Sequence, residues 1–329
     1  MTSLTLTCIG RQQNTHDVVS WQLVPFSGSL PPVLAGQCIT LHTEIDGQPE
    51  CRAYTLSSSP QDACWQVTIK DVGRVSRHLH QTLQVGDEIR VDGPFGDFNL
   101  TALPCERPLL LSAGSGITPM WAMLRDELAK RPDADIRFIH SARSPADVIF
   151  ADELATLAAA HSGVLHALIL EEAPKAHPWV GRLTPAMLAE LAPDLRERHV
   201  YLCGPAPYMA AVRTMLTELG LPPEQLHQES FGLPPVEPAT TTSDHFWLTL
   251  KKSGKKVKIL PGQTLLAALE AAGETIMAAC RAGVCGSCRC TTTGDIERQS
   301  VMTLSAQDLE SGVALACSCT AKGDINLDY

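Results

Sequence analysis

The chain has 329 residues, is 44% apolar and 19% charged, and carries a formal net charge of −10. That balance supports more than one core, so two or three domains are expected, and it speaks against a nucleic-acid-binding surface. No apolar run reaches the roughly 20 residues of a membrane helix, and MTSLTLTCIGRQQNTHDVVS at the N-terminus lacks a basic leader followed by an apolar core. A cytoplasmic chain with reduced thiols is the expectation. Twelve cysteines then point to a metal or redox centre where they cluster. The scattered ones (Cys8, Cys38, Cys51, Cys64, Cys105) read as small packing residues.

Residues 1–102 read as β. VVSWQLV, CITLHTEI and CWQVTIK alternate between turns rich in Pro, Gly and Ser, the pattern of a closed antiparallel barrel. RAYTLSS (52–58) sets a guanidinium, an aromatic ring and a hydroxyl in succession. The first suits phosphate and the second a flat ring. TIKDVGRVS (68–76) comes next, a strand and turn leading into a helix expected over Ser76–Leu83 with Ser76 as its cap. The free N–H groups at such a helix start suit a pyrophosphate. Gly36-Gln37 and GPFGDF (93–98) are further turn signals.

Residues 103–232 change rhythm. PLLLSAG and DIRFIHSA look like buried strands and alternate with the helical MWAMLRDELAKR and YMAAVRTMLTELG, so a parallel α/β sheet is expected. LLLSAGSGITPM runs from strand through Gly114 and Gly116 into a helix, the context in which glycines let backbone approach a ligand. YLCGPAPYM (201–209) is a second strand-to-turn stretch. A 2′-phosphate would want several cations, but HSARSPADVIF offers only Arg143, between Ala142 and Ser144, so NADH is expected over NADPH. The polar run at 233–244 reads as a linker.

In residues 245–329, FWLTL and KVKIL make a hairpin around Ser253-Gly254, and TLLAALEAAG makes a helix closed by Gly273. This part is close to neutral, so the acidic balance lies in the other two. AACRAGVCGSCRC (278–290) then spaces Cys280, Cys285 and Cys288 as C-x4-C-x2-C, with a distant fourth thiol in LACSC. That is the plant-type [2Fe–2S] spacing. A structural zinc site usually shows two C-x2-C pairs, and only one is present. Ala282, Gly283, Gly286 and Ser287 are small enough for backbone N–H groups to reach the sulfurs.

Residues 245–329 therefore resemble a plant-type ferredoxin of β-grasp fold. The resemblance makes Cys317 the fourth ligand and leaves Cys290 and Cys319 as supporting or packing residues. Taken in order, RAYT, IK, GRVS, GPFGDF, GSGITP, CGP and ESF make the first two parts similar to the ferredoxin–NADP reductase superfamily. This second resemblance implies that Arg52 binds the flavin pyrophosphate, that Tyr54 lies against the isoalloxazine, and that Thr55 hydrogen-bonds the ring. It implies too that Ala53, Ile69, Lys70, Gly73, Arg74, Val75 and Ser76 complete the site, with FAD favoured over FMN. The turn before GRVS is shorter than the family's common form, lacking its Pro-Gly-Gly. By the same likeness, Thr118 and Pro119 lie where flavin and nicotinamide meet. Cys203, Gly204 and Pro205 lie beside the nicotinamide, with Cys203 close to the hydride path but not a nucleophile. Glu229 and Phe231 end the lobe and reach back toward the flavin.

No Ser-His-Asp or paired-carboxylate pattern stands out, as expected where cofactors carry the chemistry. The implied activity is a relay from NADH to FAD to [2Fe–2S] to an acceptor protein, with no nucleic-acid or membrane partner. RAYTLSSSP, ARSPADVIFADE, ACRAGVCGSC and LACSC bring the chain nearest to the NADH oxidoreductases that serve the hybrid-cluster protein. The alternative is the reductase component of a Rieske-type oxygenase or demethylase. A reading of another class is a flavin and iron–sulfur redox sensor; sustained NADH-driven reduction of a dye would speak against it.

Overall fold

The structure, a computed structural model, describes residues 3–231, 245–301 and 303–329. The linker expected at 233–244 lies outside the described residues. The chain divides into two compact units, Met1–Ile39 with Tyr54–Ser230, and Thr40–Ala53 with Phe231–Tyr329.

The N-terminal strands are β1 (Ser3–Thr15), β2 (Val18–Pro25), β3 (Cys38–Ile45), β4 (Gln48–Thr55), β5 (Trp65–Lys70) and β6 (Glu88–Phe95), in the sheet order β4-β3-β6-β1-β2-β5. This is the expected antiparallel, barrel-like sheet. In the first unit the ladder β6-β1-β2-β5 buries Trp21, Leu23, Val67 and Ile69, residue types that suit a pleated surface. The buried hydroxyls of Ser20, Thr68 and Ser57 satisfy one another at 2.7 Å each. Helix α1 covers Arg74–Thr82 and starts two residues before the expected Ser76, with Gly73 as its cap. The reason lies in Ser76 itself. Its hydroxyl reaches back to accept from the N–H of Gly73 at 2.9 Å, which fixes the turn from inside the helix.

Next come β7 (Pro108–Ala113), α2 (Ile117–Lys130), β8 (Ile136–Ala142), α3 (Ala151–Ala160), β9 (Val164–Leu170), α4 (Pro185–Leu191), β10 (His199–Cys203), α5 (Ala206–Glu218) and β11 (Leu226–Glu229). The five strands run parallel in the order β11-β10-β7-β8-β9. Every residue of PLLLSA is buried, as a strand covered on both faces requires. One core holds Leu110, Trp121 and Phe138, and the other holds Leu111, Ile139 and Leu202. The first also contains Val18, Ala35 and Phe98, so the barrel and the parallel lobe share a core.

At the far end of this sheet the Arg198 guanidinium is fully buried and donates to Asp194 at 2.8 Å and to Asp135 at 2.7 Å. The Arg198 hydrogen bond holds the Asp194 carboxyl below its ordinary value of 3.8. A lowered carboxylate stabilises the fold above its unfolded pKa, and that stability is lost as pH falls through the folded value. Asp194→Ala is expected to cost about 3–5 kcal/mol, since it strips a partner from a buried charge. It should also flatten the loss of stability below about pH 4. Urea unfolding at pH 7 and pH 3.5 measures both, and an unchanged acid limb would remove Asp194 from the account.

The last part comprises β12 (Phe246–Leu250), β13 (Lys256–Ile259), α6 (Leu265–Ala271), β14 (Arg289–Thr293), β15 (Ile296–Arg298), α7 (Ala306–Glu310), β16 (Val313–Leu315), β17 (Cys319–Ala321) and β18 (Ile325–Asp328). The sheet order is β13-β12-β18-β14-β16, with β15 and β17 paired beside it. Thr264 caps α6 by accepting from Ala267 N at 3.2 Å, and Gly273 comes after it at φ +74°, as expected of a helix end. Leu265, Leu266 and Leu269 pack on Leu248, Ile259 and Leu315, the sheet-and-helix core of a β-grasp fold.

Candidate functional site

The nicotinamide side is the most tightly specified. β7 ends at Ala113 and the chain turns through Gly114, at φ +52°, into a short 3-10 turn and α2. Nothing lies within 4 Å of a Cβ built on Gly114, so that side of the turn is open to a ligand. Gly116 does something different from the ligand approach expected of it. A Cβ there would sit 2.3 Å from the carbonyl oxygen of Cys203 and 2.6 Å from Gly204 N. Its missing side chain seats one turn on the other. Thr118 is buried and donates to Ser115 O at 3.0 Å, which holds the turn from within α2, and Pro119 beside it is also buried.

Cys203 ends β10 with no exposed surface, and burial pushes its thiol pKa well up, so it remains a neutral thiol. Gly204 and Pro205 lead into α5, and Glu229 pairs in register with Cys203. Phe231 is half-exposed. Two residues with no sequence signal join this group. Ser141 Oγ at the end of β8 and Tyr208 Oη on the first turn of α5 are buried and lie against each other. The Tyr208 ring lies against Gly204, where a Cβ would meet it at 2.9 Å. Ligands of parallel sheets bind at the carboxyl ends of the strands, and these two hydroxyls are polar groups buried at that end. Arg143 donates to Asp147 Oδ1 at 2.6 Å, so the one cation expected to matter for a 2′-phosphate is already matched by an acid.

Of the flavin residues, Thr55 and Ile69 are buried and Tyr54 is half-buried. Lys70 Nζ lies 3.2 Å from Asp17. Val75 and Ser76 are buried in the first turn of α1 with Arg74 beside them, and Gly73 precedes them in extended backbone. Since the Ser76 hydroxyl holds Val72 N, Gly73 N and Gly73 O, what this turn offers a phosphate is main-chain N–H groups. Arg52 donates from Nη1 to Cys51 O at 2.7 Å and stands 3.6 Å from Glu50, with further guanidinium donors to offer. Arg52→Ala is expected to weaken flavin retention by roughly 1.5–3 kcal/mol, the worth of a charged hydrogen bond. Flavin content after gel filtration checks it, and unchanged content would strike Arg52 from the site.

The cysteine loop gathers four thiols. Cys280 lies beside Cys285 and Cys317, and Cys317 also beside Cys288. Among the described residues no group of three or more His, Cys, Asp or Glu side chains surrounds a point where one metal ion could sit. Main-chain N–H groups point at the sulfurs. Ala282, Val284 and Cys285 donate to Cys280 Sγ at 3.4 Å, Gly283 to Cys317 Sγ at 3.2 Å, and Cys317 to Cys288 Sγ at 3.4 Å. Gly283, at φ +76°, has no room for a Cβ, which would meet Ser300 and Ser318 at 2.7–2.8 Å. Hydrogen bonds received from Cys285 and Cys317 lower Cys280, and one from Cys317 lowers Cys288, while Cys285 and Cys317 are raised by the same bonds. Four thiolates this close repel one another unless cations lie among them, and soft sulfur donors suit iron. Cys290 and Cys319 are buried on the flanking strands β14 and β17.

Comparison with known proteins agrees with this arrangement. An oxidoreductase FAD-binding domain matches residues 15–100, an oxidoreductase NAD-binding domain residues 110–214, and a 2Fe-2S iron–sulfur cluster binding domain residues 248–322. The glycine betaine monooxygenase reductase subunit of Chromohalobacter salexigens is 36% identical over 305 residues, spanning 86% of this chain and 83% of that one. The chain belongs to the ferredoxin–NADP reductase superfamily, in its branch with a [2Fe–2S] ferredoxin domain. The NADH oxidoreductase HCR of Escherichia coli, another relative of this reductase, is 35% identical over 307 residues, 91% of this chain and 89% of that one. Among solved structures, phthalate dioxygenase reductase, described as a modular structure for electron transfer from pyridine nucleotides to [2Fe–2S], matches with TM-score 0.62 at 25% identity. That match spans 99% of this chain and 98% of the other. The reductase is an NAD(P)H-dependent oxidoreductase whose cofactors are NADH, FAD and a [2Fe–2S] cluster. Among its described residues no helix is long and apolar enough to cross a membrane.

Proposed function

We propose that the reductase is the electron-supplying component of an oxygenase or demethylase, working in the cytoplasm. Its three parts are 1–102 for FAD, 103–232 for NADH and 245–329 for the cluster. When bound, these cofactors accept an electron pair from NADH and release it one electron at a time. Cys280, Cys285, Cys288 and Cys317 hold the cluster, and Arg52 with the first turn of α1 holds the flavin phosphates. Thr118 and Cys203 support from beneath the two turns beside which the nicotinamide lies, and the buried neutral Cys203 thiol places no charge there. The observation that carries this reading is the four-thiol loop on a chain that also has flavin and nicotinamide domains. The oxygenase side is favoured by the likeness to a monooxygenase reductase subunit over most of both chains. The likeness to NADH oxidoreductase HCR supports the hybrid-cluster protein as a second acceptor reading.

Anaerobic turnover with NADH against a purified Rieske-type oxygenase component and a purified hybrid-cluster protein separates the two. We expect the oxygenase component to be reduced more than about tenfold faster, a difference of about 1.4 kcal/mol in the barrier. Faster reduction of the hybrid-cluster protein would reverse the order.

A further inference from the structure

The most concentrated charge on the chain has the opposite sign to the whole. Residues 251–258, KKSGKKVK, hold five lysines and no acid in a chain of net charge −10. They form the turn of the β12–β13 hairpin and the edge strand β13. Burial alternates along β13, with Val257 and Ile259 inward and Lys256 and Lys258 outward. Lys258 stands opposite Trp247, which is 40% exposed, and Lys256 opposite Thr249. Lys251 and Lys252 are exposed in the turn. Lys255 pairs with Glu274 at 2.6 Å and Lys252 acts on the same carboxylate, whereas Lys251, Lys256 and Lys258 make no ion pair among the described residues.

Lysines on an edge strand blunt edge-to-edge pairing. That accounts for Lys256 and Lys258 but not for the three in the turn, beyond the last rung of the ladder. A one-sign patch with an aromatic beside it, on the unit that carries the cluster, is the electrostatic form of a docking face.

We propose that the Lys251–Lys258 hairpin face docks an acidic surface of the electron-accepting protein. The proposal deepens the reductase reading and rests on it. A nucleic acid or an anionic membrane would also be attracted, but the electron-transfer role calls for a protein acceptor, and the net charge of −10 disfavours non-specific binding to a polyanion.

The test uses the full chain with flavin and cluster, and two one-electron haem proteins as probes, acidic cytochrome b5 and basic cytochrome c. At low ionic strength the wild type should reduce cytochrome b5 with a kcat/KM that falls at least about tenfold on raising salt to about 0.5 M. The quadruple variant Lys251→Glu, Lys252→Glu, Lys256→Glu, Lys258→Glu should lose that factor at low salt and gain on cytochrome c. The corresponding Gln variant should fall between. NADH-driven bleaching of flavin and cluster should be the same in all three. Complex formation with oxidised cytochrome b5, read as a haem absorbance shift, reports on the surface without turnover. The proposal is overturned if the Glu variant matches the wild type on cytochrome b5 at low salt, or if its deficit persists at high salt. It is equally overturned if the wild type is retained by tRNA or phosphatidylglycerol vesicles while cytochrome b5 shows no charge dependence. Absence of cluster bleaching by NADH in the wild type would instead sink the relay, with the haem shift still deciding the surface.

Discussion

Cys285→Ser is expected to abolish the cluster's visible absorption while NADH still bleaches the flavin. Cys285 is one of four thiols linked by direct contacts, and its own N–H serves the sulfur of Cys280. Serine keeps the shape but replaces a soft, readily ionised donor with a hard hydroxyl that stays protonated. Reduction of a one-electron protein acceptor should fall more than about 100-fold, beyond the 10–100-fold that loss of a supporting contact to a metal site costs. The nicotinamide turns belong to the other compact unit and have their own core, so hydride acceptance should survive. Cys319→Ser is the matched control. Cys319 is equally buried but sits on β17, so its variant should retain colour. Loss of NADH-driven flavin bleaching in a folded Cys285→Ser protein would refute the order of the relay, and a colourless Cys319→Ser protein would refute the choice of Cys317.

Gly116→Val is expected to be the most damaging single change in the nicotinamide lobe. The contacts a Cβ would make, at 2.3–2.6 Å, are all with the main chain of Cys203 and Gly204. No side chain can rotate away, so α2 or β10 must move. Overpacking of a rigid core costs about 1–3 kcal/mol, and here the moving parts are the nucleotide site itself. We expect a fall in thermal midpoint together with at least about a tenfold loss in the rate of flavin reduction by NADH. Gly73→Ala supplies the contrast. Its backbone is extended and nothing lies within 4 Å of its Cβ, so stability should be unchanged. A Gly116→Val protein as stable and as fast as the wild type would show that the two turns are not seated on each other.

The cysteine loop is legible from spacing because a cluster gathers three of its ligands from one short stretch, and the ligand chemistry fixes the intervals. The parallel lobe is legible for a similar reason: strands buried on both faces, such as PLLLSA, carry unbroken apolar runs. The features hidden from the sequence depend on partners distant in the chain. Gly116 is dictated by a carbonyl at Cys203, which no local pattern reveals. Ser141 and Tyr208 look like ordinary strand and helix residues until the fold brings their buried hydroxyls together. The start of α1 differs from the expected Ser76 because a serine in the third helical position can reach back to the turn as readily as a serine at the cap can reach forward. Arg143 stands out as the lone cation, but its pairing with Asp147, four residues on, sets what it can offer a phosphate.

The core shared by Val18, Ala35 and Phe98 with Trp121, Met123 and Phe150 constrains how this chain can be cut. A fragment stopping near residue 102 would leave one wall of that interior facing water and should be recovered as inclusion bodies. Expression of the flavin portion therefore requires the stretch through Ser230, and exchange of the nucleotide lobe between relatives must carry the matching barrel residues with it.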